Sequence, residues 1–255
     1  MRLVTAHGRD KIAVDLAARG WNSFERPLPE FIAAGARLVN GAFFDVGAHT
    51  GLYSLLAACA SLHTEVHAFE PYCPALKILR KNISVNHLAD RITVCDSAVG
   101  DRCGGQSMYI PSQAHGLLES SASLNADFKG EHSRVTDIDV ITLDAYTESL
   151  ESTAAGLLKI DVESTEHKVL AGGTETIARD RPLLVLEVLH LADHAWLDTF
   201  CRNNRYRIFT LHPEYIQART RVEFHGDAWN QCFCAEEKLS ILQSCADNIG
   251  LDFKH

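Results

Sequence analysis

Segments with two kinds of hydrophobic pattern, one typical of strands and one typical of helices, alternate along the chain. From about residue 38 onward, short apolar runs are followed by longer segments in which apolar residues recur every three or four positions. This order predicts an α/β fold, a doubly wound and mostly parallel sheet with crossover helices. The seven predicted core strands are residues 42–46, 65–70, 91–95, 157–161, 183–188, 205–211 and 231–235.

The pattern also predicts the organisation of the chain. Residues 41–255 form the main domain, and residues 1–40 form an N-terminal lead-in and helix that lie over the active site. Residues 100–135 are rich in Ser and Gly and weakly patterned, so we expect an insertion over a site. Within this region, residues 107–110 are expected to pair with residues 137–143 as a hairpin.

Composition and charge narrow the kind of partner. Apolar residues make up 46% of the 255 positions and charged residues 22%, as in ordinary globular proteins. The formal net charge is -9, which disfavours nucleic acids and anionic membranes because both attract basic surfaces. We therefore expect no nucleic-acid partner.

Targeting signals and cysteine usage predict a cytoplasmic location. The sequence has no charged segment followed by an apolar signal-peptide core. No apolar run approaches the roughly 18 residues that a membrane span requires. The eight cysteines include no C-x-x-C pair, so we expect free, buried thiols in a reducing compartment and no structural zinc site.

A glycine-rich turn follows the first predicted strand. The segment Asp45–Gly51 has the spacing D-x-G-x-x-x-G, with His49 and Thr50 between its glycines, Gly47 and Gly51. It differs from the dinucleotide G-x-G-x-x-G and lacks the Lys-Ser/Thr pair of a phosphate-binding loop. Glycines let a ligand approach the backbone, and a carboxylate favours the ammonium of a methionine moiety. A purely structural turn is the alternative.

Two further strand ends carry candidate binding residues. Glu70, followed by Pro71, ends the second strand 25 residues after Asp45, where an acidic side chain accepts hydrogen bonds from ribose hydroxyls. Asp96 and Ser97 end the third strand, where an adenine would lie. A solvated Glu70 and turn-capping roles for Asp96 and Ser97 are the alternatives.

The fourth and fifth strands end in acidic residues. Alternation places Lys159, Asp161 and Glu163 on one side of the chain. Carboxylates after an apolar strand are costly without a role, so we expect Asp161 and Glu163 to orient an acceptor, take its proton or hold a cation. Helix capping at Ser164 is the alternative. Glu187 with His190 forms a further candidate acid–base pair.

Metal chemistry is not required by these residues. His190 and His194 are four positions apart, a spacing that can bind a metal on a helix. Further ligands would still be needed, so surface or capping roles are favoured and no metal site is assigned. The acidic residues leave a divalent cation open without requiring one.

Several of these segments together resemble the FkbM family of S-adenosylmethionine (SAM)-dependent methyltransferases. The resemblance covers roughly residues 43–187 and rests on motifs that occur in the family's order. These are D-V-G-A-H-T-G-L-Y-S from Asp45, A-F-E-P ending at Pro71, and L-K-I-D-V-E ending at Glu163. Supporting matches are Asn82 and Asn86, residues 142–144, 169–172 and 120–124.

The resemblance implies a Rossmann-like, class I methyltransferase domain whose last strand runs antiparallel. It also implies SAM as cofactor, S-adenosylhomocysteine as product, and transfer to a hydroxyl of a sugar or other natural-product small molecule. SAM would contact Asp45–Gly51 and Glu70, with its adenine near Asp96 and Ser97. The other expected binding residues are Pro71 and Asp161. The expected catalytic residues are Asp161, Glu163 and His190. Ser164 replaces the family's Gly, and His49 replaces its Asn.

Three other functions compete with this prediction. The first is an N- or RNA methyltransferase with the same cofactor site, which the acidic balance and the lack of an Asn/Asp-Pro-Pro-aromatic loop disfavour. The second is a non-catalytic SAM-binding protein, which would not need Asp161 and Glu163. The third is a nicotinamide-dependent oxidoreductase, which the glycine spacing disfavours.

Overall fold

The computed structural model describes residues 1–21, 24–111, 118, 122–128, 132–150 and 153–254. Within these ranges the helices are α1 (Lys11–Arg19), α2 (Leu28–Leu38), α3 (Leu52–Ala60), α4 (Cys73–Val85), α5 (Leu143–Glu148), α6 (Glu166–Ala171), α7 (Thr174–Asp180), α8 (His194–Asn203) and α9 (Leu239–Ile249). The strands are β1 (Ala42–Val46), β2 (Val66–Phe69), β3 (Ile92–Cys95), β4 (Ala98–Val99), β5 (Gly104–Pro111), β6 (His132–Ile141), β7 (Ala155–Ile160), β8 (Leu183–Glu187), β9 (Tyr206–His212), β10 (Tyr215–Arg219), β11 (Asn230–Ala235) and β12 (Asp252–Lys254).

The predicted α/β fold with a mostly parallel central sheet is confirmed. The order of the large sheet is β12-β10-β9-β11-β8-β7-β1-β2-β3, and β3, β2, β1, β7 and β8 are all parallel. The last of the seven predicted strands, β11, runs antiparallel to both of its neighbours, β8 and β9. The strand order reverses between β1 and β7, which is where ligands bind in open α/β sheets.

The predicted number of strands is too low by two. The described sheet has nine strands, because β10 and β12 extend it beyond β9. Both are short, and most of their residues are only partly buried. Short, partly buried strands of this kind carry no continuous apolar run, so their hydrophobic pattern is weak.

Alternating side chains of the central strands supply two apolar cores. On β1, Phe43 packs with α2, α3, α4 and α9, whereas Phe44 and Val46 face the opposite side and pack with α6, α7 and α8. On β7, Leu157 and Leu158 divide in the same way. Because both faces are covered, the central strands consist of apolar runs, as the sequence indicated.

The hairpin predicted after the third strand is present, but residues 107–110 pair with residues 134–137, so only Asp137 of the predicted partners 137–143 lies opposite them. β5 and β6 pair antiparallel and, with β4, form a second sheet of order β4-β6-β5. Ser123 adds an isolated bridge to this sheet, with hydrogen bonds of 2.8 and 3.0 Å between its backbone and that of Tyr109. This places residues 122–124 beside the hairpin.

Two local expectations, one about a helix and one about the cysteines, need correction. The hydrophobic pattern of residues 166–178 predicts a single helix, but these residues form two helices, α6 and α7, separated at Gly172 and Gly173. A Cβ atom at Gly172 would lie 2.0 Å from the carbonyl oxygen of Gly100, so the close backbone approach requires glycine. The eight cysteines are free, as predicted, but three of them are exposed: Cys59, Cys73 and Cys103.

The N-terminal residues pack in two different places. Helix α2 lies against α3 and α9 on one face of the sheet, whereas α1 and residues 24–25 contribute side chains to a cavity at the carboxyl ends of the strands. The domain division at residue 40 stays a prediction. No helix in the described part of the chain is long and apolar enough to cross a membrane.

Candidate functional site

A cavity of about 250 Å³ lies where the strand order reverses, at the carboxyl ends of β1 and β7. One of its walls, which we call the loop wall, is formed by the turn after β1 and the end of β2: Gly47, Ala48, His49, Glu70, Pro71 and Tyr72. A second part of the lining, which we call the carboxylate wall, comprises Asp161, Glu163 and Glu187. The N-terminal residues, the hairpin and the segment at Ser123 and Leu124 complete the enclosure.

Close backbone contact joins the two walls at Gly47. This glycine has φ +81°, and a Cβ atom there would lie 1.9 Å from the carbonyl oxygen of Asp161. Only glycine tolerates both the left-handed conformation and the contact. His49 is also left-handed, with φ +49°. His and Asn are both enriched in this conformation, which gives a backbone reason why His49 can replace the family's Asn.

Glu70 fastens the loop wall. Its Oε2 accepts a hydrogen bond of 2.7 Å from the backbone N–H of His49, and its Oε1 accepts one of 2.7 Å from that of Tyr72. Burial raises the pKa of Glu70 to about 7, against the lowering effect of the two hydrogen bonds. Glu70 and Pro71 both line the cavity, and their role in binding stays a prediction.

Three other predicted loop residues support the wall from behind and do not line the cavity. Asp45 is fully buried and accepts a hydrogen bond of 2.6 Å from the hydroxyl of Ser54. Burial raises its pKa. The carbonyl oxygen of Thr50 accepts a hydrogen bond of 2.8 Å from Asn82. Gly51, at φ +89°, leaves no room for a Cβ atom, which would lie 2.3 Å from Leu79.

The predicted adenine neighbours also lie outside the cavity lining. Asp96 is exposed, and its carboxylate lies 3.4 Å from the guanidinium of Arg80. Ser97 is half-buried. The two following residues, Ala98 and Val99, line the cavity instead. The strand end was therefore located correctly, but the residues in contact with the cavity are apolar.

A buried cation connects the walls. The Nζ of Lys159 lies 3.0 Å from Asp161 and 3.9 Å from Asp45, and 4.9 Å from the ring centre of Tyr53. Burial alone would lower the pKa of Lys159, but Asp161 and Asp45 together raise it above its ordinary value. Lys159 is therefore a cation at neutral pH, and it compensates two carboxylates that burial would otherwise disfavour.

The carboxylate wall gathers three acidic groups into one cluster. Asp161, Glu163 and Glu187 each offer a carboxylate oxygen within 4.8 Å of the others. Burial, followed by repulsion from Asp161 and Glu163, raises the pKa of Glu187 well above its ordinary value. Glu187 is therefore protonated at neutral pH and shares a hydrogen bond with Asp161. Oxygen-rich clusters of this composition also suit Mg²⁺ or Mn²⁺.

The loop that carries Glu163 has an uncommon backbone. Glu163 and Ser164 are consecutive left-handed residues, at φ +57° and +73°. The hydroxyl of Ser123 donates a hydrogen bond of 2.8 Å to the carbonyl oxygen of Glu163, and Glu166 accepts one of 3.0 Å from the N–H of Ser164. Thr165 is the N-cap residue of α6, so the alternative role of Ser164 as the cap is wrong. These bonds hold a costly conformation in place.

His190 lies apart from this cluster. Its side chain is exposed and packs edge-on against Phe224, with ring centres 6.0 Å apart. Among the described residues no hydrogen bond joins it to Glu187, and it does not line the cavity. The structure therefore lends no support to the predicted Glu187–His190 pair, whereas Glu187 itself lies among the acidic residues.

Sequence reasoning missed several residues of the enclosure. Glu25 accepts a hydrogen bond from the hydroxyl of Tyr53, and burial raises its pKa. Lys11, Asp15 and Met108 also line the cavity. Lys11, Asp15, Glu25 and Met108 lie outside the recognised motifs, so the sequence gave no signal for them. Lys159, by contrast, gave a signal because it is a cation inside an apolar strand.

The fold and this cavity together define a Rossmann-like α/β protein with a ligand site at the point where the strand order reverses. The sequence model of the Methyltransferase FkbM domain matches residues 45–218 of the chain. The chain belongs to this family. The first segment predicted from resemblance and the matched region both begin at Asp45.

A curated relative and two solved structures are similar to the chain. The 31-O-demethyl-FK506 methyltransferase FkbM of Streptomyces tacrolimicus is 32% identical over 155 residues, which is 51% of this chain and only 58% of the relative's own length. The FkbM methyltransferase of Methylobacillus flagellatus is 18% identical over 76% of this chain and 43% of that chain, with a TM-score of 0.49. A SAM-dependent O-methyltransferase of Thermotoga maritima is 11% identical over 87% of this chain and 70% of that chain, with a TM-score of 0.44.

Proposed function

We propose that this chain is a SAM-dependent methyltransferase that methylates a hydroxyl group of a small molecule, a sugar or another natural-product scaffold. The observation that carries the proposal is one cavity that is lined by both the loop wall and the carboxylate wall. Membership of the FkbM family supports methyl transfer. The name of the similar Streptomyces tacrolimicus protein, a methyltransferase for 31-O-demethyl-FK506, supports oxygen as the acceptor atom.

The residues of the loop wall fit SAM. Each oxygen of Glu70 accepts one backbone N–H, which leaves further lone pairs for ribose hydroxyls. Gly47 and Ala48 present backbone without bulky side chains. Pro71, Ala98 and Val99 add apolar surface, which suits an adenine ring. Asp45, Thr50 and Gly51 would act by holding the loop, since none of the three residues lines the cavity.

The carboxylate wall fits the acceptor. Bound SAM supplies an electrophilic methyl group on a sulfonium, and the remaining task of the protein is to position a hydroxyl oxygen and remove its proton. Asp161 and Glu163 are the proposed proton acceptors. Protonated Glu187 hydrogen-bonds to Asp161, and Lys159 fixes the same carboxylate at 3.0 Å.

The carboxylate wall also bears on the alternative functions. Asp161 and Glu163 would repel the phosphate groups of an RNA acceptor, and the net charge of -9 also disfavours RNA. A non-catalytic SAM-binding protein would gain nothing from three clustered carboxylates, whose mutual repulsion is costly. A divalent cation held by the cluster would lower the acceptor's pKa in place of a base.

The cofactor assignment is tested by calorimetric titration with S-adenosylhomocysteine. We expect micromolar binding that weakens at least about tenfold, or 1.4 kcal/mol, in Glu70→Ala. Glu70→Gln keeps one acceptor oxygen and should lose less. Glu65→Ala, at an exposed glutamate just before β2, is the matched control and should bind like the parent. A folded parent that does not bind would overturn the proposal.

The reaction is tested with radiolabelled SAM and a panel of hydroxylated and amino-substituted small molecules. Label transferred to a hydroxyl oxygen supports the proposal, and label found only on nitrogen would replace it with N-methylation. Repeating the assay with EDTA and then with Mn²⁺ separates the two uses of the carboxylates. Activity that requires Mn²⁺ assigns them to a cation, and activity indifferent to both assigns them to proton transfer.

A further inference from the structure

Asn82 lies on α4, behind the loop wall, and links two distant parts of the chain. Its side chain is fully buried. The Nδ2 group donates a hydrogen bond of 2.8 Å to the carbonyl oxygen of Thr50, inside the glycine-rich turn. The Oδ1 atom accepts one of 2.8 Å from the backbone N–H of Val4. One amide therefore bridges the turn and the N-terminal segment, which we define as residues 1–21.

Asn86, one turn further along α4, binds the same N-terminal segment. Its Oδ1 accepts a hydrogen bond of 2.6 Å from the N–H of Arg2, and its Nδ2 donates one of 2.6 Å to the carbonyl oxygen of Arg2. Its Nδ2 also donates to the carbonyl oxygen of Asn82, at 2.7 Å. The two asparagines thus hold residues 2–4 by backbone groups alone, so the contact depends on chain position and not on N-terminal side chains.

The N-terminal segment continues from this attachment to the cavity. The carbonyl oxygen of Arg9 accepts a hydrogen bond of 2.7 Å from the N–H of Leu118. Helix α1 then contributes Lys11, Ile12 and Asp15 to the cavity lining. The segment is therefore fastened at one end to the residue that supports the glycine-rich turn, and at the other it encloses the cavity that this turn lines.

We propose that Asn82 is a positioning residue that couples the glycine-rich turn to the N-terminal segment, so that cofactor binding and docking of the segment favour each other. This inference rests on the proposed function. A ligand that orders the turn fixes the Thr50 carbonyl, and this favours the orientation of Asn82 that binds Val4. Coupling of this kind is reciprocal: the factor by which the ligand favours docking of the segment is the factor by which docking of the segment raises the affinity for the ligand. Loosening the segment must therefore lower that affinity.

The sharpest test changes the segment and leaves the loop wall untouched. Val4→Pro removes the N–H that donates to Asn82, and Val4→Ala, the matched control, keeps it. We expect calorimetry to show S-adenosylhomocysteine binding about fivefold weaker in Val4→Pro and unchanged in Val4→Ala. Hydrogen exchange of residues 2–19 should slow when S-adenosylhomocysteine is added to the parent, and this response should be lost in Val4→Pro.

Two asparagine variants separate support of the turn from coupling. Asn82→Ala should weaken binding and abolish the ligand-induced protection of residues 2–19, whereas Asn86→Ala, which does not contact the turn, should weaken binding less. If Val4→Pro and Asn86→Ala both bind like the parent, or if the ligand leaves exchange of the segment unchanged, the coupling is refuted. A parent that fails to bind S-adenosylhomocysteine would refute the proposed function instead.

Discussion

The loop wall and the carboxylate wall face the same cavity but are built in different ways. The loop wall comes from one stretch of chain and the next strand end, and it uses backbone N–H groups, glycines and a single carboxylate, Glu70. The carboxylate wall is made of acidic side chains from two strand ends, and Lys159 compensates the charge of Asp161. Its backbone is held by Ser123 from the segment beside the hairpin.

This difference distinguishes the part of the site that suits an unchanging ligand from the part that suits a variable acceptor. Backbone and glycine contacts leave little freedom for variation, which suits a ligand that stays the same. Side chains from several segments can change independently, which suits an acceptor that differs between proteins. The following predictions test whether the two walls are energetically separate, in order of decreasing expected effect.

The largest effect is expected at the cation between the walls. Lys159→Met leaves Asp45 buried without its cation and should lower the free energy of unfolding by about 3–5 kcal/mol. Urea unfolding measures the loss. Lys77→Met, at an exposed lysine of α4, is the matched control and should change stability little. Asp45→Asn added to Lys159→Met should recover part of the loss, and a fully additive double variant would contradict the pairing.

A large effect on turnover alone is expected at the carboxylate wall. Glu163→Gln or Asp161→Asn should reduce methyl transfer about a hundredfold, because proton acceptance by a placed base contributes on this scale. Affinity for S-adenosylhomocysteine should stay within about twofold of the parent if the walls act separately. Asp96→Asn, at an exposed residue outside the cavity, is the control and should alter neither quantity. Equal loss of turnover and affinity would show that the walls act as one unit.

A smaller, stabilising effect is expected from relief of backbone strain. Ser164→Gly should raise the free energy of unfolding by about 1 kcal/mol, since φ is +73° and glycine adopts this conformation readily. It should also loosen Glu163 and lower turnover. His87→Gly relieves similar strain, at φ +57°, away from the cavity and should leave turnover unchanged. Thermal denaturation and turnover of both variants decide whether strain at Ser164 serves the carboxylate wall.

The smallest effect is a dependence of stability on pH. Burial raises the pKa of Glu166 to about 8, so the folded protein binds more protons than the unfolded chain between about pH 5 and 8. Stability from this group is therefore full below its unfolded pKa and declines as pH rises through 8. Glu166→Gln should flatten the decline of the melting temperature between pH 5 and 8, and Glu148→Gln, at an exposed glutamate of α5, should not.

The motifs predicted the loop wall better than its individual contacts. Glu70 and the turn at Gly47 were placed at the cavity because strand ends and glycine spacing are local features of the chain. Asp96 and Ser97 were assigned to the cavity, but Ala98 and Val99 line it. A difference of one or two residues at the end of a strand changes which side chain faces a ligand, and hydrophobic periodicity does not resolve it.

The carboxylate wall was predicted only in part. The sequence predicted Asp161 and Glu163, and it predicted a partner for the acidic residue Glu187, but it paired Glu187 with His190, whereas the structure pairs it with Asp161. The short strands β10 and β12 were missed because half-exposed strands lack an apolar run. The hydrogen bond between Glu25 and Tyr53 carried no signal, since it joins residues 28 positions apart.

The sequence by itself determined the order of strands and helices, the two-sided burial of the sheet, the glycine-rich turn and the family. These properties follow from local periodicity and from motifs within single segments. Only the tertiary structure decided that Lys159 lies between Asp45 and Asp161, that Ser123 supports Glu163, and that Asn82 joins Val4 to Thr50. Such contacts depend on how segments that are far apart in the sequence pack in three dimensions. The hydrophobic pattern of a single segment does not show which distant residue its side chains will meet.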